Sequence, residues 1–234
     1  MKAPRLLTAA LAGLLLLLFS PRPAHAGRTF SGAFSSDLST AISVTERYWS
    51  AKIVGFRPIA RIVPYTSDGE LSCGLQPIPA ENAAYCPIGD FIAYDSAWAE
   101  QVYTQMGDAF VFYLLGHEYG HGIQQRLGIQ YQFTIYQELQ ADCFAGAVIG
   151  DSIRVGDLRL EQGDLDELKS GLISVGDPPG EPWFQEGAHG SPAQRTASFF
   201  SGYDTGLDAC DLPRQQPPAP FPATSPTPSW PWGP

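Results

Sequence analysis

Gly116-His117-Glu118-Tyr119-Gly120-His121 lies inside an apolar run that begins at Phe110, and that run predicts a helix. On a helix, side chains four residues apart project from one face a turn apart. The imidazoles of His117 and His121 can therefore reach a single Zn²⁺ at about 2.0–2.1 Å. Glu118 lies one position round the helix from the first histidine, close enough to take a proton from a water at the metal without being a ligand itself. The pattern is H-E-x-x-H, and it points to hydrolytic chemistry.

Such a pattern also arises by chance, so its surroundings must decide. The chain has four histidines, and His25 falls in a segment read below as a signal peptide. Each of the other three, His117, His121 and His189, sits in a motif. Downstream, Gln137-Glu138-Leu139-Gln140-Ala141-Asp142 follows the second histidine at a distance that allows a turn and a returning helix. Glu138 then completes a His₂Glu set with a fourth metal position left open, the arrangement of catalytic rather than structural zinc. Asp142, one turn after Glu138, is placed to accept the outer N–H of a ligand histidine and fix its tautomer.

Outward from this pair of helices, Ser36-Asp37 are expected to cap a packing helix that runs to about Lys52. Strand-like fragments at Arg61 to Thr66 and Asp90 to Tyr94 flank a turn-rich segment, and they predict a small sheet beside the active-site helix. Asp95-Ser96 precede a helix from about Ala97 to Met106; Gly107 breaks it, and Asp108 is expected to cap the helix that ends near Leu127, with Gly128 as its C-cap. The Glu138 helix spans roughly Thr134 to Ile149, and its small residues Ala141, Ala145, Gly146 and Ala147 permit close approach to a neighbour. Asp164 is expected to cap a helix to about Val175. Ser191-Pro192 is a strong helix start, and it holds His189 just outside that start. His189 and Arg195, one turn in, are candidates to stabilise the oxyanion of a scissile carbonyl.

Met1 to Ala26 has a basic start, an apolar run of about 15 residues and an Ala-His-Ala site, which describes a secretory signal peptide cut before Gly27. The run is short for a membrane span, which needs about 20 residues, so no stable span is expected after cleavage; an uncleaved anchor is the alternative. Removal leaves 11 basic against 24 acidic residues, a net charge of −13. This argues against a nucleic-acid partner and fits a soluble exported protein. Four cysteines in such a chain imply disulfides. Of the three possible pairings, Cys73–Cys86 and Cys143–Cys210 are expected; free thiols or a cysteine metal site are the competing readings. Residues 213–234 hold nine of the 21 prolines and read as an extended, disordered tail.

With these residues in view the chain resembles the bacterial neutral zinc metallopeptidase family from about Cys73 to Cys210. The marks are Cys73-Gly74, Tyr85-Cys86-Pro87 with Asp90 and Tyr94-Asp95, His117-Glu118-Tyr119-Gly120-His121 with Gln124, Glu138 to Gly146, Gly163-Asp164, and His189-Gly190-Ser191 with Gln194-Arg195, Phe200 and Gly202. Gly122 departs from the pattern, where a histidine is expected in many members. The resemblance implies a zincin-like fold, zinc on His117, His121 and Glu138, and Glu118 as acid/base. The combined expectation is an α+β, mainly helical domain at 27–212, with one Zn²⁺ per chain and a peptide or protein as substrate. A zinc-dependent cell-wall amidase and a non-catalytic zinc-stabilised binding protein are the alternatives.

Overall fold

The computed structural model describes residues 32–210. The expected signal peptide and the proline-rich tail lie outside the described residues. Among the described residues there are six helices: α1 Gly32–Lys52, α2 Ser96–Met106, α3 Asp108–Leu127, α4 Thr134–Arg154, α5 Asp164–Ser174 and α6 Pro192–Thr205. Five short strands are β1 Arg61–Tyr65, β2 Ser72–Cys73, β3 Gln76–Pro77, β4 Ala83–Cys86 and β5 Phe91–Asp95. The fold is mainly helical α+β, as the sequence predicts. No helix among the described residues is long and apolar enough to cross a membrane.

The helix starts follow their local chemistry. Asp95 caps α2 by accepting from the N–H groups of Ala97 and Trp98. Ser191 and Gln194 form a reciprocal capping box with Pro192 in the first turn of α6. Gly128, in the left-handed region at φ 65°, closes α3. Three starts differ from expectation. Helix α1 begins earlier, at Gly32, because Phe34 is buried against the edge of Tyr103 and extends the packed face; Asp37 then lies inside the helix and accepts from the Tyr103 hydroxyl at 2.6 Å. Asp108 and Asp164 are the first residues of their helices, preceded by Gly107 and Gly163, both at positive φ. Helix α4 also runs a turn further than expected, to Arg154.

The sheet has the order β1-β5-β4, with β1 parallel and β4 antiparallel to β5. Sequence reading places Ala83–Cys86 in a turn-rich segment; it is instead one of the two edge strands of the sheet. Four residues are too few to show alternation, and its partner β5 is buried along most of its length, so pairing rather than pattern makes the strand. A separate two-residue hairpin, β2–β3, carries Cys73.

Two apolar cores lie on either side of the α3–α4 pair. One gathers Trp49, Ile59, Ile92, Tyr119, Ile123, Phe144 and Val148; the other gathers Phe110, Tyr113, Ala145, Leu168, Leu172 and Phe199. Helices approach closely where side chains are smallest. A Cβ on Gly116 would sit 3.2 Å from Ala145, and one on Gly120 would sit 3.2 Å from Ala141, which sets α3 antiparallel against α4. Between α4 and α6 the backbones nearly touch: a Cβ on Gly146 would collide with the Phe199 carbonyl, and one on Gly202 with that of Cys143. The disulfides are Cys73–Cys86 and Cys143–Cys210, as expected, and no described cysteine is free. The first ties the hairpin to β4; the second ties α4 to the 3-10 turn Leu207–Cys210.

Candidate metal centre and active site

Close packing of α3 on α4 brings Glu138 of α4 onto the two histidines of α3. His117 Nε2 lies 3.2 Å from His121 Nε2 and 3.2 Å from Glu138 Oε2, and His121 Nε2 lies 3.4 Å from Glu138 Oε1. Ligands about 2.05 Å from a tetrahedral zinc ion are separated by about 3.3 Å, and the two histidine nitrogens have that spacing, each with one oxygen of the Glu138 carboxylate beside it. The two imidazoles stand almost perpendicular, at 88°, with their Nε2 atoms adjacent. Two nitrogens and a carboxylate oxygen are also the donor chemistry that zinc takes. The residues present therefore fit a metal ion.

Behind the donors the outer contacts are buried and charged. His117 Nδ1 faces Asp142 Oδ1 at 2.8 Å. The same carboxylate accepts from the Tyr113 hydroxyl at 2.8 Å and from Arg195 through Nε and Nη2, both at 2.9 Å. Arg195 Nη1 donates to the Val175 carbonyl at 2.7 Å. Asp142 is fully buried and Arg195 is 4% exposed. Burial opposes charge on His117, but Asp142 and Glu138 outweigh it and raise the imidazole pKa to about 10. Glu138 is likewise opposed by burial, yet hydrogen bonding to His117 and the charges of the two histidines hold it well below the usual carboxylate range.

Glu118 is 6% exposed, and its Oε2 accepts from the backbone N–H of Tyr85 on β4 at 2.7 Å. Burial raises its carboxyl pKa above the ordinary value, with His117, His121 and the Tyr85 N–H opposing the shift. A cleft of about 530 Å³ opens over these groups, with β4 as one wall and His189 at its rim. His189 is tied to Asp177, which accepts from the backbone N–H groups of His189 and Gly190 at 2.7 Å each and faces the imidazole Nδ1 at 3.2 Å. His189 and Arg195 both line the cleft, but only His189 is open to it; the Arg195 guanidinium is spent on Asp142, Tyr113 and Val175. A second group of carboxylates, Asp108, Asp164 and Glu167, gathers at the far end of α3, where Glu167 and Asp164 accept from the N–H groups of Ala109 and Glu161.

Sequence reading missed two contributors. Tyr113 lies four residues before His117 on the same helix face, a spacing that marks it in retrospect. The Tyr85 N–H carries no side-chain signal, because it is placed by strand pairing.

Residues 31–212 match the family described as "Putative neutral zinc metallopeptidase". The chain belongs to this family. An uncharacterized protein of Mycobacterium tuberculosis, Rv2575, is 29% identical over 194 residues, covering 70% of this chain and 65% of the relative. The uncharacterized protein YpfJ of Escherichia coli is 30% identical over 146 residues, covering 52% of this chain and 50% of the relative. The chain thus spans between half and two thirds of the length of these curated relatives. No solved structure matches it.

Proposed function

We propose that the chain is an exported zinc peptidase, with residues 1–26 as a signal peptide, 27–212 as the catalytic domain and 213–234 as a proline-rich tail. The observation that carries this reading is the triangle of His117, His121 and Glu138 with a buried carboxylate, Glu118, beside it on the floor of a cleft. Two disulfides support export, since such bridges persist in oxidising compartments. The acidic net charge supports a peptide or protein substrate over nucleic acid.

In this reading His117, His121 and Glu138 hold one Zn²⁺ per chain. When bound, such an ion would supply Lewis-acid chemistry to a water molecule and to the scissile carbonyl. Glu118 removes a proton from the attacking water and delivers it to the leaving amine, so the reaction needs no covalent enzyme intermediate. The Tyr85 N–H keeps the Glu118 carboxylate pointed into the cleft. Asp142 holds His117 with its proton on Nδ1, which leaves Nε2 for the metal. Arg195, a transition-state candidate on sequence alone, acts here as a positioning residue that neutralises Asp142. The outer edge of β4 offers backbone groups to an extended substrate.

His189 is the remaining donor for the oxyanion: with Nδ1 given to Asp177, its Nε2 donates to substrate as part of a protonated imidazolium. His189→Ala is expected to lower kcat about a hundredfold with little change in KM, because the bond strengthens as charge develops. Unchanged kcat would remove His189 from the mechanism.

The reading is tested by digesting a mixed peptide library with zinc-loaded, chelator-stripped and zinc-restored protein. Cleavage is expected in the first and third samples alone, with about one zinc per chain by elemental analysis and none in His121→Ala. Cleavage that survives stripping would overturn the metal mechanism. A zinc-loaded protein that leaves every peptide intact but cuts a cell-wall amide would overturn the substrate class.

A further inference from the structure

His117 has a carboxylate behind it, whereas His121 has none. Its Nδ1 faces Gln124 Oε1 at 3.0 Å. The Gln124 amide nitrogen donates to the Gln137 carbonyl at 2.7 Å and to Gln140 Oε1 at 3.1 Å, and the Gln140 amide nitrogen donates to the Cys210 carbonyl at 3.1 Å. Gln124 is fully buried, Gln140 is 4% exposed, and Cys210 is bridged to Cys143.

An imidazole nitrogen and an amide can each present a donor or an acceptor, so a lone Gln–His contact leaves the tautomer open. The chain of contacts removes that freedom. A backbone carbonyl only accepts, so Cys210 compels Gln140 to present its NH₂ to it and its oxygen to Gln124. The Gln140 oxygen and the Gln137 carbonyl then compel Gln124 to turn its NH₂ towards them and its oxygen towards His121. Facing that oxygen, His121 must carry its hydrogen on Nδ1, and its Nε2 lone pair points at Glu138 and His117. Reversing any one amide would set acceptor against acceptor among buried groups and leave them unpaired.

We infer that Gln124 and Gln140 are positioning residues which set the metal-binding tautomer of His121 from the Cys210 carbonyl, so that the Cys143–Cys210 disulfide supports metal retention. The inference rests on His121 being a metal ligand, and it is separable from the peptidase reading because it concerns metal affinity alone.

The test measures zinc affinity of the full chain by competition with a chromophoric chelator, with the cobalt-substituted absorption spectrum as a second readout and melting temperature as the fold control. Gln124→Met removes both halves of the amide, and affinity is expected to fall ten- to a hundredfold. Gln124→Glu keeps an acceptor for His121 but loses both donations, so it is expected to melt lower, like Gln124→Met, while holding affinity within about threefold of the parent, a small part of that outer-partner effect. A packing role would move the two variants together. The Cys143→Ala/Cys210→Ala pair should weaken zinc, and Gln140→Met should weaken it to a similar degree. Combining all three changes should add little, because they break one chain of contacts.

Equal affinities for Gln124→Met and Gln124→Glu, or fully additive effects of Gln140→Met and the cysteine pair, would overturn the inference. Should Gln124→Met not fold, Gln140→Met and the cysteine pair carry the test. His121→Ala separates the failures: zinc retained there removes the metal site itself, whereas zinc lost there but kept by Gln124→Met removes this inference alone.

Discussion

Replacing Glu118 with Gln is expected to cut kcat/KM about a thousandfold while leaving the protein folded and loaded with zinc. An amide keeps the shape of the carboxylate, and its oxygen can still accept from the Tyr85 N–H that holds Glu118. What it cannot do is take a proton from water, and loss of a positioned acid/base removes about 10²–10⁴ in rate. Burial raises the Glu118 carboxyl pKa, so folding favours its neutral form and the ionised group costs stability as pH rises through that value. The neutral amide escapes this cost, and the variant should melt no lower than the parent. Activity lost without stability lost marks a catalytic residue. Turnover within tenfold of the parent would remove Glu118 from the role, and a lost zinc content would make it a structural one.

The second large effect is expected at Asp142. Asp142→Ala leaves Arg195 buried without its partner, takes the acceptor from the Tyr113 hydroxyl, and frees His117 Nδ1. Breaking a buried pair from one side costs about 3–5 kcal/mol, and loss of the outer partner of a ligand histidine weakens metal binding about ten- to a hundredfold. The two effects can be parted. In Asp142→Leu/Arg195→Met no buried charge is left unpaired, so much of the stability should return, while zinc affinity should stay low because nothing accepts from His117. Denaturant unfolding and chelator competition read the two separately. Asp142→Ala that loses less than about 1 kcal/mol would mean that Arg195 is paired some other way. The pH dependence has a defined sign. Burial opposes the charge on Asp142, but His117 and Arg195 hold its pKa below the ordinary value. Its contribution is therefore present above about pH 4 and is lost as pH falls through the lower folded value.

Much of this molecule is legible in the linear sequence because its chemistry is local. The spacing of His117 and His121 follows from helix geometry, and the Ser191-Pro192 start and Gly128 stop follow from capping. Even the close approach of two helices is foreshadowed, since Gly116 and Gly120 meet Ala145 and Ala141 at matching four-residue intervals. Glu138 follows from its distance after His121, which allows a turn and a returning helix, and Asp142 from lying one turn beyond Glu138. Tertiary structure alone decided the rest. Edge strand β4 has too few residues for a pattern, and its place depends on pairing with β5; that pairing supplies the Tyr85 N–H to Glu118. Arg195 reads as an oxyanion candidate one turn into a helix, or as an ion-pair partner of His189 or the Glu138 helix, and only the packing of α6 on α4 decides for Asp142. The Gln124–Gln140–Cys210 chain joins residues as far apart as 70 positions, and its polarity comes from two backbone carbonyls. Sequence determines which side chains share a helix face, because 3.6 residues per turn is a property of one segment; which backbone groups reach that face depends on how separate segments pack.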